Sequence, residues 1–276
     1  MRKTSMKVPY CLVIVFLFQN IATAQVRKGS IGIIYYSTDK IIIAADSKGS
    51  LVNQPPVYTE CKVSALGQHI IFFSANLTAW GGGGPFDWNS TEEAHRAYER
   101  LEPTHENQGL AAHVAVEWAS AVTEDIRRIY VSNPQAIINT AENGVLTDAL
   151  FGESEGTHLT LFWERIVVNQ SSITPIAATP LTPINPVGFV AAGKREIFDE
   201  FTSLTSPRAK REAKEWAKKS LRIRPEDRDL MKAIRLADLT VAYDQSGTVG
   251  GNIDALELRR GGEVRWKQRK DSCPAQ

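Results

Sequence analysis

The sequence has few of the residues that hold metals or bind polyanions. The chain of 276 residues contains three cysteines and five histidines, and no pair of histidines has metal-ligand spacing. It carries no zinc motif, P-loop or dinucleotide fingerprint, so we expect neither a metal nor a cofactor. Acidic and basic residues nearly balance at a net charge of +1. That balance argues against nucleic acid as a partner of the chain as a whole.

Long apolar runs are also lacking, apart from one near the N-terminus. Three basic residues within the first seven precede an apolar stretch over 11–18, and the small residues Ala-Thr-Ala end at Ala24. This order is typical of a secretory signal peptide cleaved after Ala24. The stretch is far shorter than the ~20 residues that a membrane-spanning helix needs. We therefore expect residues 1–24 to be a signal peptide and the rest to be exported, to a periplasm or outside the cell, without a membrane anchor.

Export bears on the cysteines. Cys11 lies within the signal segment, which leaves Cys61 and Cys273 in the exported chain. An oxidising compartment permits one disulfide between them. The alternative is two unrelated thiols, one in a strand and one in a frayed tail. The sequence leaves both interpretations open.

Strand and helix patterns alternate in blocks along the exported chain. Apolar runs predict strands, and amphipathic stretches predict helices. The predicted strands cover 30–36, 40–45, 62–66, 69–73, 146–152, 157–168, 189–192 and a C-terminal hairpin. The predicted helices cover 110–129, 195–204, 208–219, 226–243 and an earlier segment that Ser90 and Glu93 open as a capping box. This order suits two sheets packed face to face with helices outside, in one domain over 30–267 with a flexible tail over 268–276.

One strand ends on a charged residue with a distinctive spacing to two others. The apolar run Ile41–Ala45 is followed by Asp46, a carboxylate that is costly at a strand end unless it has a partner. Ser30, preceded by Gly29, lies sixteen residues before Asp46, and Lys62 lies sixteen residues after it. At these positions the sequence resembles the proteasome β-type subunits, within the N-terminal-nucleophile (Ntn) hydrolases. In that family a Gly precedes the nucleophile, and an Asp and a Lys follow at this spacing.

The resemblance extends in order over about residues 29 to 267. The segment "ADSKGS" is similar to the family's segment that pairs with an extended peptide substrate, which implicates Gly49 and Ser50. The strand "IIFFSANL" is similar to the one that lines the specificity pocket, with Ser74 in the pocket and the amide of Asn76 as oxyanion donor. "VGGNIDALELRRGGEVRW" resembles the family's C-terminal hairpin. The resemblance implies a four-layer αββα sandwich, with two stacked antiparallel sheets and helices on both outer faces.

The implied function is that of a peptidase or other amide-bond hydrolase. A serine hydroxyl needs a base, and the family uses the nucleophile's own α-amine, whose ordinary pKa is about 7.7–8.0. Lys62 keeps that amine neutral, and Asp46 is the counter-ion of Lys62. Residues 25–29 then form a short propeptide, released when the hydroxyl of Ser30 attacks the carbonyl of Gly29. Expected partners are a peptide or other amide substrate and, as in the family, further copies of the chain in a ring.

A catalytically silent structural or binding protein on the same fold is the alternative. The family's nucleophile is usually Thr and its oxyanion residue Gly, whereas this chain has Ser30 and Asn76. The supporting serine of the family's Gly-Ser-Gly turn is missing from "AAGK" (191–194), and Asp244 and Ser246 are both candidates for its supporting Asp. The segment "VRKGSIGI" also resembles the non-catalytic α-type subunits, in which no cut occurs.

Overall fold

The computed structural model describes residues 25–28, 30–51, 61–81, 87–104, 109–168, 173–176, 187–271 and 273. The predicted signal peptide over 1–24, its cleavage residue Ala24, and Gly29 lie outside the described residues. The strands in the described part are β1 (Gln25–Lys28), β2 (Ile31–Ser37), β3 (Lys40–Asp46), β4 (Ser50–Leu51), β5 (Val63–Leu66), β6 (Ile70–Asn76), β7 (Ala79–Gly81), β8 (Trp88–Asn89), β9 (Val145–Glu155), β10 (His158–Val168), β11 (Ile173–Ile176), β12 (Val187–Gly193), β13 (Ile253–Arg259) and β14 (Val264–Gln268).

Helices separate these strands into blocks. The α-helices of the described residues are α1 (Ser90–Leu101), α2 (Leu110–Ser132), α3 (Pro134–Thr140), α4 (Glu196–Ser203), α5 (Pro207–Ser220) and α6 (Arg228–Tyr243). Short 3-10 turns follow α1 and precede α6. The capping box predicted for α1 is wrong, because Asn89 is the N-cap and its side chain accepts hydrogen bonds from the Thr91 and Glu92 amides. None of the described helices is long and apolar enough to cross a membrane.

The strands form three antiparallel sheets. Sheet A has the order β11-β10-β9-β6-β5, and sheet B has the order β12-β2-β3-β13-β14. A smaller sheet C has the order β4-β1-β7-β8. The mixture of helices with antiparallel sheets confirms the predicted α+β class.

Three hydrophobic clusters explain why the central strands are apolar on both faces. One cluster joins sheet A to α1 and α2, and includes Phe72 and Trp118. A second joins sheet B to α4 and α6, and includes Ile42. The third contains residues of both sheets, including Ile43 and Phe73. Successive residues of β3 and of β6 thus enter different clusters, since side chains alternate across a strand.

The C-terminal segment is attached to the rest of the protein. Cys273 forms a disulfide with Cys61, with the Cα atoms 5.5 Å apart. The amide of Lys270 donates to Asp254 Oδ1 at 2.9 Å, and its ammonium lies 2.8 Å from Asp254 Oδ2. Two of the described residues in the tail predicted to be flexible are therefore fixed to β13 and to the residue before Lys62.

Candidate functional site

A buried ion pair joins the end of β3 to the residue before β5. The ammonium of Lys62 lies 2.8 Å from Asp46 Oδ1, and the two side chains are 1% and 0% exposed. Charged groups of this kind are almost never fully buried unless they are paired, because desolvation costs several kcal/mol for each ion. The spacing of sixteen residues in the sequence thus corresponds to a direct contact between the end of a strand in sheet B and the residue before a strand in sheet A.

The Asp46 carboxylate also accepts hydrogen bonds from three backbone amides. Oδ1 accepts from the Ile31 amide at 2.9 Å, and Oδ2 accepts from the Gly250 amide at 3.0 Å and, more weakly, from the Lys48 amide at 3.4 Å. The Ile31 amide directly follows Ser30. Asp46 therefore holds Lys62 and the residue next to the predicted nucleophile at the same oxygen atom.

Ser30 is enclosed beside this pair. The residue is 1% exposed, and its hydroxyl has no hydrogen-bond partner among the described residues. Leaving a buried hydroxyl unpaired costs about 1–3 kcal/mol. The Ser30 carbonyl accepts from the Lys194 amide at 2.9 Å. At Gly193, where φ is +84°, an added Cβ would lie 2.0 Å from the Ser30 carbonyl oxygen, so only glycine fits against the backbone of Ser30.

The segment before Ser30 is a central strand of sheet C. Strand β1 pairs with β4 on one side and with β7 on the other, and Arg27 lies opposite both Leu51 and Ala79. Ser50, predicted to pair with a peptide substrate, lies opposite Lys28 in this sheet, and Gly49 is the buried residue before it. Residues 25–28 thus lie as an extended peptide next to β4, which contains Ser50 of the segment that, by the resemblance, pairs with a peptide substrate.

Asn76 ends β6 in the left-handed region of the backbone, with φ 68°. Asn adopts this conformation more readily than most residues with a side chain. Its side-chain amide donates to Asp148 Oδ2 at 3.1 Å, while Asp148 Oδ1 accepts from Arg165 at 2.8 Å and from Trp163 at 3.0 Å. The side chain is therefore fixed within sheet A.

Ser74 lies two residues earlier on the same strand. Its amide donates to the Lys62 carbonyl at 3.2 Å, which continues the pairing of β5 with β6. Its hydroxyl is fully buried and has no partner among the described residues. The structure therefore brings Ser74 to the backbone of Lys62, and closes its side chain off from solvent.

Asp244 and Ser246 stabilise a loop, and it is the Gly250 amide at the end of this loop that contacts Asp46. Asp244 Oδ1 accepts from the Ser246 hydroxyl at 2.6 Å, and Oδ2 accepts from the Thr248 and Val249 amides at 2.9 and 3.2 Å. Partial burial raises the pKa of Asp244, but the hydrogen bonds from Ser246 and from these amides outweigh it, so the pKa is lowered overall. The loop ends at Gly250, whose amide binds Asp46.

A cavity of about 190 Å³ adjoins these elements. Its described lining comes from the end of β6, the residue after β12, the Asp244 loop, the last residues of α3 and the turn after it: Asn76, Asn139, Thr140, Ala141, Glu142, Lys194 and Thr248. Lys194 connects the cavity to Ser30 through its backbone amide. The ammonium of Lys194 lies 3.4 Å from the carboxylate of Glu142 across the cavity.

Gly250 and Lys194 were missed by sequence reasoning. Both contact the site through backbone amides, which every residue except proline carries, so their chemistry leaves no mark in the sequence. The turns that contain them did offer a signal, because Gly193 and the pair Gly250-Gly251 are residues that close backbone approach favours. Within the described part of the chain, no group of three His, Cys, Asp or Glu side chains could hold a metal ion.

A scan against protein-family models and a search of curated proteins found no match to this chain. The resemblance to the Ntn hydrolases therefore depends on the residues quoted above and on their spacing.

Proposed function

We propose that the protein is an exported amide-bond hydrolase that uses Ser30 as an N-terminal nucleophile. One observation carries the proposal: a buried Ser30 hydroxyl without a partner among the described residues lies one residue from the amide that Asp46 binds, and the same Asp46 oxygen binds the ammonium of Lys62. Such groups are costly to bury. A buried polar group without a partner calls for an explanation, and a catalytic role is one.

The fold that goes with this proposal is the four-layer αββα sandwich of the Ntn hydrolases. The hydrophobic clusters support it, since one lies between α1, α2 and sheet A, one includes both sheets, and one lies between sheet B, α4 and α6. In this arrangement β3 and β6 lie in the two inner layers. Asp46, at the end of β3, and Asn76, at the end of β6, then approach Ser30 from different sheets.

Maturation in this proposal is a reaction of the chain with itself. The Ser30 hydroxyl attacks the carbonyl of the preceding residue, Gly29, and the C–N bond breaks as the C–O bond forms. The proton passes from the hydroxyl to the nitrogen of Ser30. Water then hydrolyses the resulting ester, which leaves a carboxylate on Gly29 and a free α-amine on Ser30. The pairing of β1 with β4 and β7 supports this step, because it holds the segment before Ser30 extended.

Turnover of a substrate repeats the same chemistry with the amine as base. The α-amine takes the hydroxyl proton, the oxygen of Ser30 attacks the substrate carbonyl, and the leaving nitrogen receives the proton. Water then hydrolyses the ester on Ser30, which releases the acyl half as a carboxylate and restores the hydroxyl. The Lys62 ammonium stabilises the negative charge that develops near Ser30, and Asp46 keeps that ammonium in position. The amide of Asn76 is the oxyanion donor in this proposal.

A catalytically silent protein on the same fold is the second candidate. It is favoured by the "AAGK" turn, where Ala191 and Ala192 are buried and no hydroxyl supports Ser30. In this case Ser30 keeps its peptide bond to Gly29, and β1 remains a structural strand of sheet C.

Covalent labelling distinguishes the two candidates. A peptide epoxyketone reacts only with a residue that carries both a hydroxyl and a free α-amine. We expect one equivalent on Ser30 of the secreted protein, located by peptide mass spectrometry, and none on Ser30→Ala. Ser203→Ala, at an exposed hydroxyl on α4, should label like the wild type. Absence of label on a wild-type chain that begins at Ser30 would refute the hydrolase.

A further inference from the structure

Strand β1 identifies the side of Ser30 on which the acyl half of a substrate lies. In maturation, residues 25–28 belong to the half of the chain that retains the attacked carbonyl. These residues pair with Ser50 and Leu51 of β4 and with β7. A substrate that reacts at the same hydroxyl places its own acyl half along this path. The leaving half must therefore depart from Ser30 on another side.

The cavity that contains Lys194 lies on such a side. None of its described lining residues belongs to β1, β4 or β7. It is nevertheless next to the nucleophile, because the Lys194 amide is 2.9 Å from the Ser30 carbonyl oxygen. It also borders Asn76, the proposed oxyanion residue. Ser30 itself is not among the described lining residues, so the cavity adjoins it through the backbone of Lys194.

The chemistry of the lining selects a polar occupant. Lys194 and Glu142 face each other at 3.4 Å and are 24% and 40% exposed, so both side chains remain accessible to a small molecule. The Lys194 ammonium is the cation of the described lining, and it belongs to the residue whose amide binds the Ser30 carbonyl. Glu142 and the carbonyl end of α3 supply negative charge to the same cavity, which is unfavourable for an anion. An anionic group is therefore best placed against Lys194.

We propose that this cavity is the leaving-group subsite, and that Lys194 selects a leaving group with a carboxylate next to the cleaved amide. The carboxylate is either the side chain of an acidic residue or the free C-terminus of the substrate. Glu142 competes with it for the same ammonium. This inference rests on the proposed function, since it requires that Ser30 cleaves an amide.

The test uses peptides with one acyl half and different leaving residues. Three peptides carry Glu, Gln or Lys directly after the cleaved bond. Two further peptides, the free-acid pair, end at the leaving residue Gln, one as a free acid and one as an amide. The kcat/KM of each peptide is measured by mass spectrometry for the wild type, Lys194→Gln, Glu142→Gln and the control Lys218→Gln, an exposed lysine on α5. Ser30→Ala defines the background.

The two cavity variants should change the preference in opposite directions. A charge-assisted hydrogen bond in a half-exposed cavity favours Glu over Lys by about tenfold in the wild type. Lys194→Gln should reduce this ratio to about one, and Glu142→Gln should increase it, because the ammonium loses its competitor. Lys218→Gln should retain the wild-type ratio. If the enzyme prefers the free acid to the amide but does not prefer Glu to Lys, the carboxylate that Lys194 binds is the C-terminus of the substrate.

Two results overturn the inference, and they differ. If Ser30-dependent hydrolysis occurs, and neither the Glu/Lys ratio nor the free-acid/amide ratio differs between the wild type and Lys194→Gln, the subsite is wrong and the proposed function stands. If the wild type hydrolyses no peptide faster than Ser30→Ala, the proposed function fails and the subsite fails with it.

Discussion

Asp46 is the residue on which the candidate site depends. Its carboxylate binds the Lys62 ammonium and the amides of Ile31 and Gly250, so β2, β3, β5 and the Asp244 loop meet at one side chain. The apolar strand before Asp46 indicated that its carboxylate needs a partner, and the resemblance to the Ntn hydrolases pointed to Ser30 and Lys62. The amide partners could not be predicted, since backbone groups are the same at every residue.

Breaking this ion pair should affect stability and maturation separately. Lys62→Met leaves a buried carboxylate without its cation and should lower the free energy of unfolding by about 3–5 kcal/mol. Adding Asp46→Asn removes the remaining charge and should recover part of that loss. Neither variant should release residues 25–29, because the ammonium is absent from both. Urea denaturation gives the stability, and intact mass gives the N-terminus; release by the double variant at the wild-type rate would contradict the role given to Lys62.

At the scale of single elements, helix α2 begins without a side-chain cap of its own. Its N-cap is Gly109, and the buried carboxyl of Glu153 on β9 lies within the influence of the first amides of the helix. Burial raises the pKa of Glu153, Glu155 raises it further, and the amides of Ala111 and Leu110 and the charge of His69 lower it in part. The folded protein therefore holds the proton of this carboxyl more tightly than the unfolded chain does.

This shift predicts a pH dependence of stability. With a folded-state pKa above the ordinary 4.5, the unfolded chain loses the Glu153 proton first, so stability falls as pH rises from 4.5 through the folded-state pKa. Glu153→Gln cannot ionise and should gain stability relative to the wild type as pH rises from 4.5. Glu263→Gln, at an exposed carboxyl between β13 and β14, is the matched control. A difference between Glu153→Gln and wild type that stays constant over this range would show that the carboxyl ionises equally in both states.

The pairing of strand β1 within sheet C should affect the rate of maturation. Arg27 lies between Leu51 of β4 and Ala79 of β7, so its backbone belongs to both ladders. Arg27→Pro removes one amide donor, and the loss of one hydrogen bond of about 0.5–1.5 kcal/mol should slow release of residues 25–29 by about 2–10-fold. Arg27→Ala keeps the amide and should mature at the wild-type rate. Equal rates for Arg27→Pro and Arg27→Ala, followed by intact mass, would mean that pairing in sheet C plays no part.

At the scale of the whole molecule, the long strands and helices could be predicted because each carries a hydrophobic period of its own. Strands β2, β3, β6, β9 and β10 and helices α2 and α6 all occur where the pattern indicated. Strands β1, β4, β7, β8 and β11 were missed, since elements of two to four residues have no period and depend on backbone pairing alone. Helix α3, which follows α2 after one residue, was also missed, because seven residues are too few to show a clear helical period.

The disulfide joins the C-terminal segment to the residue before Lys62. Cys61 and Cys273 are 212 positions apart in the chain, and Cys61 directly precedes Lys62. Replacing both by serine should lower the free energy of unfolding by about 2–5 kcal/mol, because the open chain regains loop entropy. Urea denaturation of the oxidised wild type and the double variant measures this. Equal midpoints would mean that the bond closes no loop that matters to stability.

The central claim is that Ser30 becomes the N-terminus by its own chemistry, and the intact mass of freshly secreted protein tests it most directly. The wild type and Ser30→Thr, which both carry a hydroxyl, should begin at residue 30. Ser30→Ala should begin at Gln25. A wild-type protein that retains residues 25–29 would contradict the claim and leave the fold as that of a silent protein.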